Sequence, residues 1–191
     1  MRKVIYATNI TIDGCCDHTK GIADAELHEY FTDLLSGMGL LAYGRKTYEL
    51  MVPFWPDVAK TQSMNKTSNE FAKVFDSIEK LVFSQTLESV DDKNTTLSRA
   101  KPEEEILKLK QGEGKPISLG GVALSSHLIA LGLVDEYHFV VQPFIAGEGT
   151  RLLKGITLPE TLGLKLVESK IFKSGCIALH YVKQDENDAS K

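Results

Sequence analysis

The sequence predicts a three-layer α/β/α domain around a mixed, mostly parallel sheet that ends in an antiparallel C-terminal hairpin. Three observations carry this. β-branched apolar stretches alternate with stretches of helical period along most of the chain. Two strand patterns, "AYGRKTYE" and "SLGGVALS", end on glycine and pass straight into a helix. The stretch "LKLVESKIFKSGCIALHYVK" holds two long strand patterns joined by Ser174-Gly175, a hairpin signal.

The elements follow in order. Residues 3–12 form a strand closed by the turn pair Asp13-Gly14. Asp24 is an N-cap for a helix whose Leu27, Tyr30, Phe31, Leu34 and Leu35 recur at helical spacing up to Gly37. "GLLAYG" is a short buried strand, and "RKTYELM" a helix beginning directly after Gly44. Residues 52–69, with two prolines and Trp55, read as a loop leading into a helix that reaches Phe75. "KLVFS" is a third strand. Pro102 opens a helix with Glu103, Glu104 and Glu105 in its first turn, where the helix dipole favours acids. "PISLGG" is a fourth strand, followed by a helix with Leu124, Leu128 and Leu131 on one face that closes at Gly132. Residues 134–145 form a long strand before the glycine-rich bend "AGEGT". A single domain over 1–183 is expected, with the polar tail 184–191 frayed.

Composition narrows the function classes. Charged residues make up 25% of the chain, hydrophobic ones 42%, and the net charge is −4. Nothing in that balance calls for nucleic acid or an anionic membrane as partner. No apolar run approaches the ~20 residues needed to cross a bilayer, and the N-terminus lacks the apolar region of a signal peptide, so a cytoplasmic protein is expected. Three cysteines, Cys15, Cys16 and Cys176, are too few for a disulfide scaffold. "CCDH" (15–18) matches no zinc spacing, and no metal is expected there or elsewhere. His127, His138 and His180 read as structural or surface residues.

In open α/β sheets, ligands bind beyond the carboxyl ends of the strands, where helices begin. The two glycine junctions are such ends. Glycine lets a phosphate approach the backbone closely, and Arg45 and Lys46 add charge suited to it. Two anion sites on neighbouring strands suit a dinucleotide. The same turns serve equally to pack a helix on its sheet, and the residues alone leave both readings open. Neither a G-x-G-x-x-G fingerprint nor a P-loop is present, and no G-x-S-x-G or H-E-x-x-H occurs.

Taken in order, "TIDG", "AYGRKTYE", "KLVFSQTL" and "PISLGGVALSSHLIALGLVDEYHFVVQPFIAGEGTRLL" resemble motifs of the dihydrofolate reductase-like family. The resemblance is closer to its branch holding the reductase domain of bifunctional riboflavin-biosynthesis proteins, and runs from residue 2 to about 182. The H-x-E…P-C-x-x-C signature of their deaminase half is absent.

The resemblance implies a reductase that passes hydride from NADPH, with NADH not excluded, to a small planar nitrogen heterocycle of pyrimidine or pterin type. It implies that Gly44, Arg45, Lys46 and Thr47 hold the pyrophosphate and 2′-phosphate region. Ser84, Gln85 and Thr86 then lie along the adenosine, and Gly120, Gly121, Val122, Ala123 and Leu124 cover the pyrophosphate and nicotinamide ribose. Many relatives carry arginine where Gln85 stands, so preference for NADPH rests on Arg45 and Lys46. Asn9, Phe31 and Trp55 are nominated to hold the substrate, and His28 and Asp13 as catalytic residues. His28 falls near the place of the acid that protonates folate in dihydrofolate reductases. It can deliver a proton near neutral pH or stand as a surface residue on the helix flank, and Asp13 has its own structural role in an Asp-Gly turn. A non-catalytic dinucleotide-binding protein and dihydrofolate reductase proper are the rival readings, and relatives imply a homodimer.

Overall fold

The computed structural model describes residues 1–16, 19 and 21–184. Asp17 and His18 of the cysteine-rich stretch and the tail from residue 185 lie outside them. In chain order the elements are β1 (Val4–Thr11), α1 (Ala25–Ser36), β2 (Leu40–Gly44), α2 (Arg45–Met51), α3 (Phe54–Thr61), α4 (Lys66–Ser77), β3 (Glu79–Phe83), β4 (Thr95–Ser98), α5 (Pro102–Gln111), β5 (Ile117–Gly120), α6 (Val122–Ala130), β6 (Glu136–Gln142), β7 (Leu164–Ile171) and β8 (Ile177–Lys183).

All eight strands form one sheet in the order β4-β3-β2-β5-β1-β6-β8-β7. β4 through β6 in that order run parallel, and β8 and β7 close the sheet antiparallel. This is the mixed sheet the sequence predicts. Side chains alternate between its two faces, as the strand period requires. Val4 and Tyr6, Leu40 and Ala42, and Leu81 and Phe83 pack with Ile106 of α5 and Leu124 and Leu128 of α6. Ile5, Leu41, Tyr43 and Val82 pack with Tyr48, Phe71 and Phe75 on the other face, where α1 to α4 lie. Burying these side chains stabilises the layers by roughly 1.5–3 kcal/mol for each large one.

Local signals decide where the elements begin and end. The Asp24 carboxylate accepts from the Leu27 N–H, capping α1, and the Asn65 side chain does the same for α4. Gly175 takes φ +84° in the hairpin turn, which glycine adopts at no steric cost.

Three features depart from the sequence expectation. Residues 54–61 form α3 rather than a loop: Pro53 caps it and Pro56 sits in its first turn, where a missing N–H costs nothing. Trp55 therefore stands on a helix. β4 is a four-residue polar strand at the sheet edge, too short and too weakly apolar to leave a periodic signal. β6 stops at Gln142 because Pro143 cannot donate to the ladder.

Candidate active site

The carboxyl ends of β3, β2, β5, β1 and β6 share one edge of the sheet. Tyr43 lies opposite Gly120 and Gly44 opposite Phe83, so the two glycine junctions are immediate neighbours. A Cβ on Gly120 would stand 2.1 Å from the Tyr43 ring, and one on Gly121 would stand 2.1 Å from Thr47 Oγ1. Both glycines are therefore demanded by packing within the chain, and Gly121 also takes φ +88°. Gly44 differs. A Cβ there would meet nothing within 4 Å, so no neighbour requires glycine and the space beside it is open.

The helix starts are also unequal. α1 and α4 are capped by side chains, α3 carries Asp57 in its first turn, and α5 carries three glutamates there. Among the described helices, only α2 and α6 have neither a capping side chain nor a first-turn acid. These are the two that follow the glycine junctions. Orphan N–H groups of a first turn need partners from somewhere. Leu124 is turned into the core, while Val122 is half-buried and Ala123 exposed.

Arg45 stands exposed at the start of α2. Its Nε donates to Glu49 at 2.7 Å and its Nη1 donates to Thr86 Oγ1 at 2.9 Å, tying α2 to the turn after β3. In that turn the Ser84 hydroxyl accepts from the N–H groups of Thr86 and Leu87. Arg99, just past β4, donates to the carbonyls of Ser84 and Leu87, and the Gln85 amide donates to the Arg99 carbonyl at 2.9 Å. A second guanidinium thus borders the turn where sequence comparison leaves only Gln85. It escapes a sequence reading because the strand that delivers it does. Lys46 is exposed beside Arg45.

At the β1 end, Asn9 Oδ1 accepts from Gln142 Nε2 at 2.9 Å, while Gln142 Oε1 accepts from the Ile22 N–H at 2.9 Å. Gln142 is almost wholly buried, and its role is invisible in sequence because both partners are distant along the chain. His28 lies in the first turns of α1, its Nδ1 3.0 Å from the Asp24 carbonyl oxygen, and its ring meets Trp55 and Phe71 edge-on at 6.2 and 6.1 Å. Phe31 is wedged between the two apolar clusters of that face. The structure thus unites His28 with Trp55.

Asp13 does not join them. Its carboxylate accepts from Thr11 Oγ1 at 2.6 Å, from the N–H groups of Ala146 and Gly147, and from Arg151 at 3.1 Å. The Thr11 hydroxyl above all, with the Ala146 and Gly147 N–H groups, holds the carboxyl well below the usual carboxylate range. Held ionised, Asp13 has no proton to give near neutrality. It fastens the loop after β1 to the loop after β6, alongside the Cys15–Arg151 bridge.

A concavity of about 550 Å³ lies elsewhere, on the α6 face, lined by Tyr137, Phe139, Leu153 and other apolar residues with Glu160 and Thr161. It includes none of the predicted site residues.

The chain matches the family described as RibD C-terminal domain over residues 2–178. It belongs to that family. The chain is also similar to the Bacillus subtilis (strain 168) protein YyaP, itself uncharacterized, at 32% identity over 186 residues and 94% of each chain. Two solved structures share the fold. A protein provisionally named for riboflavin biosynthesis, from Shewanella sp. PV-4, is 18% identical with a TM-score of 0.71, over 96% of this chain and 99% of that one. A diaminohydroxyphosphoribosylaminopyrimidine deaminase/5-amino-6-(5-phosphoribosylamino)uracil reductase from Thermotoga maritima is 17% identical with a TM-score of 0.66, over 96% of this chain and 57% of that one. Both likenesses are of fold, over nearly the whole of this chain. No described helix is long and apolar enough to cross a membrane.

The Asp13 brace has a signed pH dependence. A carboxyl whose pKa is lowered by folding contributes stability above its unfolded value, about 3.9, and loses it as pH falls below that. Asp13→Asn should lower the melting temperature at pH 7, with the gap to the parent narrowing at pH 3. An equal gap at both pH values would refute the ionic role.

Proposed function

We propose that this protein is an NAD(P)H-dependent reductase of a small planar nitrogen heterocycle of the pyrimidine class. One observation carries the reading: the only two described helices without a capping side chain or first-turn acid start side by side, next to Arg45 and the open face of Gly44. That arrangement fits the diphosphate of a dinucleotide, which takes N–H donors and a charge-assisted contact together. Bound there, the cofactor supplies hydride; the protein supplies orientation and exclusion of water. Arg45 and Arg99 border the 84–87 turn from two sides, as a 2′-phosphate would need.

The substrate reading rests on the far side of the same edge. Because Gln142 receives the Ile22 N–H, its own amide must donate to Asn9, so that Asn9 Nδ2 has no hydrogen-bond partner among the described residues and can donate outward. A donor there suits a ring carbonyl. His28 donates Nδ1–H to the Asp24 carbonyl, so Nε2 is the atom that would carry a proton to substrate. The dihydrofolate reductase reading lacks its helix carboxylate at the expected place, where His28 stands. A binding protein without turnover predicts the same cofactor affinity but no NADPH oxidation with any pyrimidine or pterin in a substrate panel.

Arg45→Ala should weaken NADPH by roughly 10- to 100-fold, matching the 1.5–3 kcal/mol of a charge-assisted hydrogen bond, and NADH by much less. Gly44→Ser should leave the fold intact, because its Cβ enters open space, while filling the approach to the diphosphate. Calorimetry reads both. Equal losses for the two cofactors in the first variant would remove the 2′-phosphate assignment, and full affinity in the second would remove the diphosphate assignment.

With a reducible substrate in hand, His28→Gln should lower kcat and kcat/KM together by roughly 100-fold and spare NADPH affinity. Unchanged kinetics would return His28 to a packing role between Trp55 and Phe71.

We further infer a homodimer. β7 is the last strand of the sheet and exposes Leu166, Val167 and Ile171 at 51%, 55% and 77%, an apolar edge that a second copy would cover. Light scattering should give twice the 21.1 kDa chain mass, and Val167→Lys should halve it; a monomeric parent chain would end the proposal.

A further inference from the structure

A second polar cluster lies toward the opposite end of β6 and has no part in the dinucleotide reading. Glu136 and His138 project from the same face of β6, and His180 stands directly opposite His138 on β8. The two imidazole rings are nearly parallel, 4.1 Å apart at 13°. His180 Nε2 lies 3.2 Å from Glu136 Oε2, and one ligand atom from each of the three residues falls within 4.8 Å of the others. Glu136 and His138 are buried and His180 is half-buried.

We propose that Glu136, His138 and His180 bind a divalent transition-metal ion of the zinc class. Two imidazole nitrogens and one carboxylate oxygen form a borderline donor set, suited to zinc, cobalt or nickel. Calcium and magnesium require more oxygens than the cluster offers. The surroundings already hold the ligands in place. The Tyr30 hydroxyl lies 2.9 Å from His138 Nδ1, which occupies that nitrogen and leaves Nε2 for the ion. The Lys3 ammonium holds Glu136 Oε1, leaving Oε2 toward the histidines.

Bonds of 2.0–2.1 Å in a tetrahedral site separate ligand atoms by roughly 3.3 Å, so the set must close by roughly 1.5 Å at most. His180 and Glu136 retain side-chain exposures of 22% and 12%, which leaves room for that movement. Three residues leave a position open for water or for Glu168, which faces His180 from β7. Lys3 is the opposing element. Its ammonium competes with a cation for Glu136, yet its side chain is 62% exposed and can swing into solvent.

The test is titration of the chelator-treated protein with Zn²⁺ and with Co²⁺, by calorimetry and visible absorption. The expected result is one ion per chain, a cobalt spectrum of nitrogen and oxygen ligation without a thiolate charge-transfer band, and a raised melting temperature. His180→Gln should weaken binding at least tenfold. Tyr30→Phe should weaken it roughly tenfold through the ligand it orients. Lys3→Met should tighten it severalfold, a response that a nonspecific surface site would not give. No saturable binding by the parent chain, a thiolate band that moves the ion to the cysteines, or unchanged affinity in folded His180→Gln would each overturn the proposal. The Zn²⁺ readout needs no substrate or NADPH, so it stands apart from the reductase assignment.

Discussion

Tyr43 lies across Gly120, and Thr47 against Gly121, because β2 and β5 pair in parallel with Tyr43 opposite Gly120. No side chain larger than hydrogen fits at either glycine without moving an aromatic ring or a helix. That closeness brings the starts of α2 and α6 to one point on the sheet edge. It also fixes Gly121 at a positive φ, which aims α6 away from the strand it follows. Arg45 then reaches the β3 turn only because α2 begins where it does. The geometry of the proposed dinucleotide edge is thus set first by packing inside the chain. Gly44 is the exception, since no internal neighbour accounts for it.

Two polar braces frame this edge from the β1 side, and they divide the work differently. Asp13 draws on a hydroxyl, two backbone donors and Arg151, and is spent on holding two loops together. Gln142 spends one end of its amide on Ile22 and the other on Asn9, and so passes a defined donor outward. A buried amide with both ends paired costs little to keep and fixes the orientation of the next one. The same sequence neighbourhood therefore supplies a structural carboxylate and an oriented amide.

The layers and most elements were legible in the sequence because their signals are local. Asp24 with the stripe Leu27–Leu35, Gly44 before Arg45, and Ser174-Gly175 each announce an element within a few residues. α3 was hidden because prolines at a cap and in a first turn look, in sequence, like prolines in a loop. β4 was hidden because an edge strand of four polar residues has no period to read. At the site, the glycine junctions were visible and the roles around them were not. Gln142 meets Asn9 and Ile22 from more than a hundred residues away, Arg99 arrives just past the unread strand, and besides nearby Thr11 the partners of Asp13 lie beyond residue 145. The Glu136–His138–His180 cluster escaped for the same reason, since strand pairing rather than spacing assembles it.

The position of that cluster also limits what an ion there can do. His138 lies four residues before Gln142, about 13 Å from the strand ends at ~3.3 Å per residue, and its β1 partner Ala7 is two residues from Asn9. An ion held by His138 would reach that region through its ligands and their neighbours. Its influence would pass through packing: His138 is tied to Tyr30, Tyr30 stacks edge-on against Phe31, and both belong to the helix that carries His28. His180 and Glu168 also link β6, β8 and the exposed strand β7 across one face. A metal there would tighten the antiparallel end of the sheet and the seat of α1 together, and so act as a structural clamp.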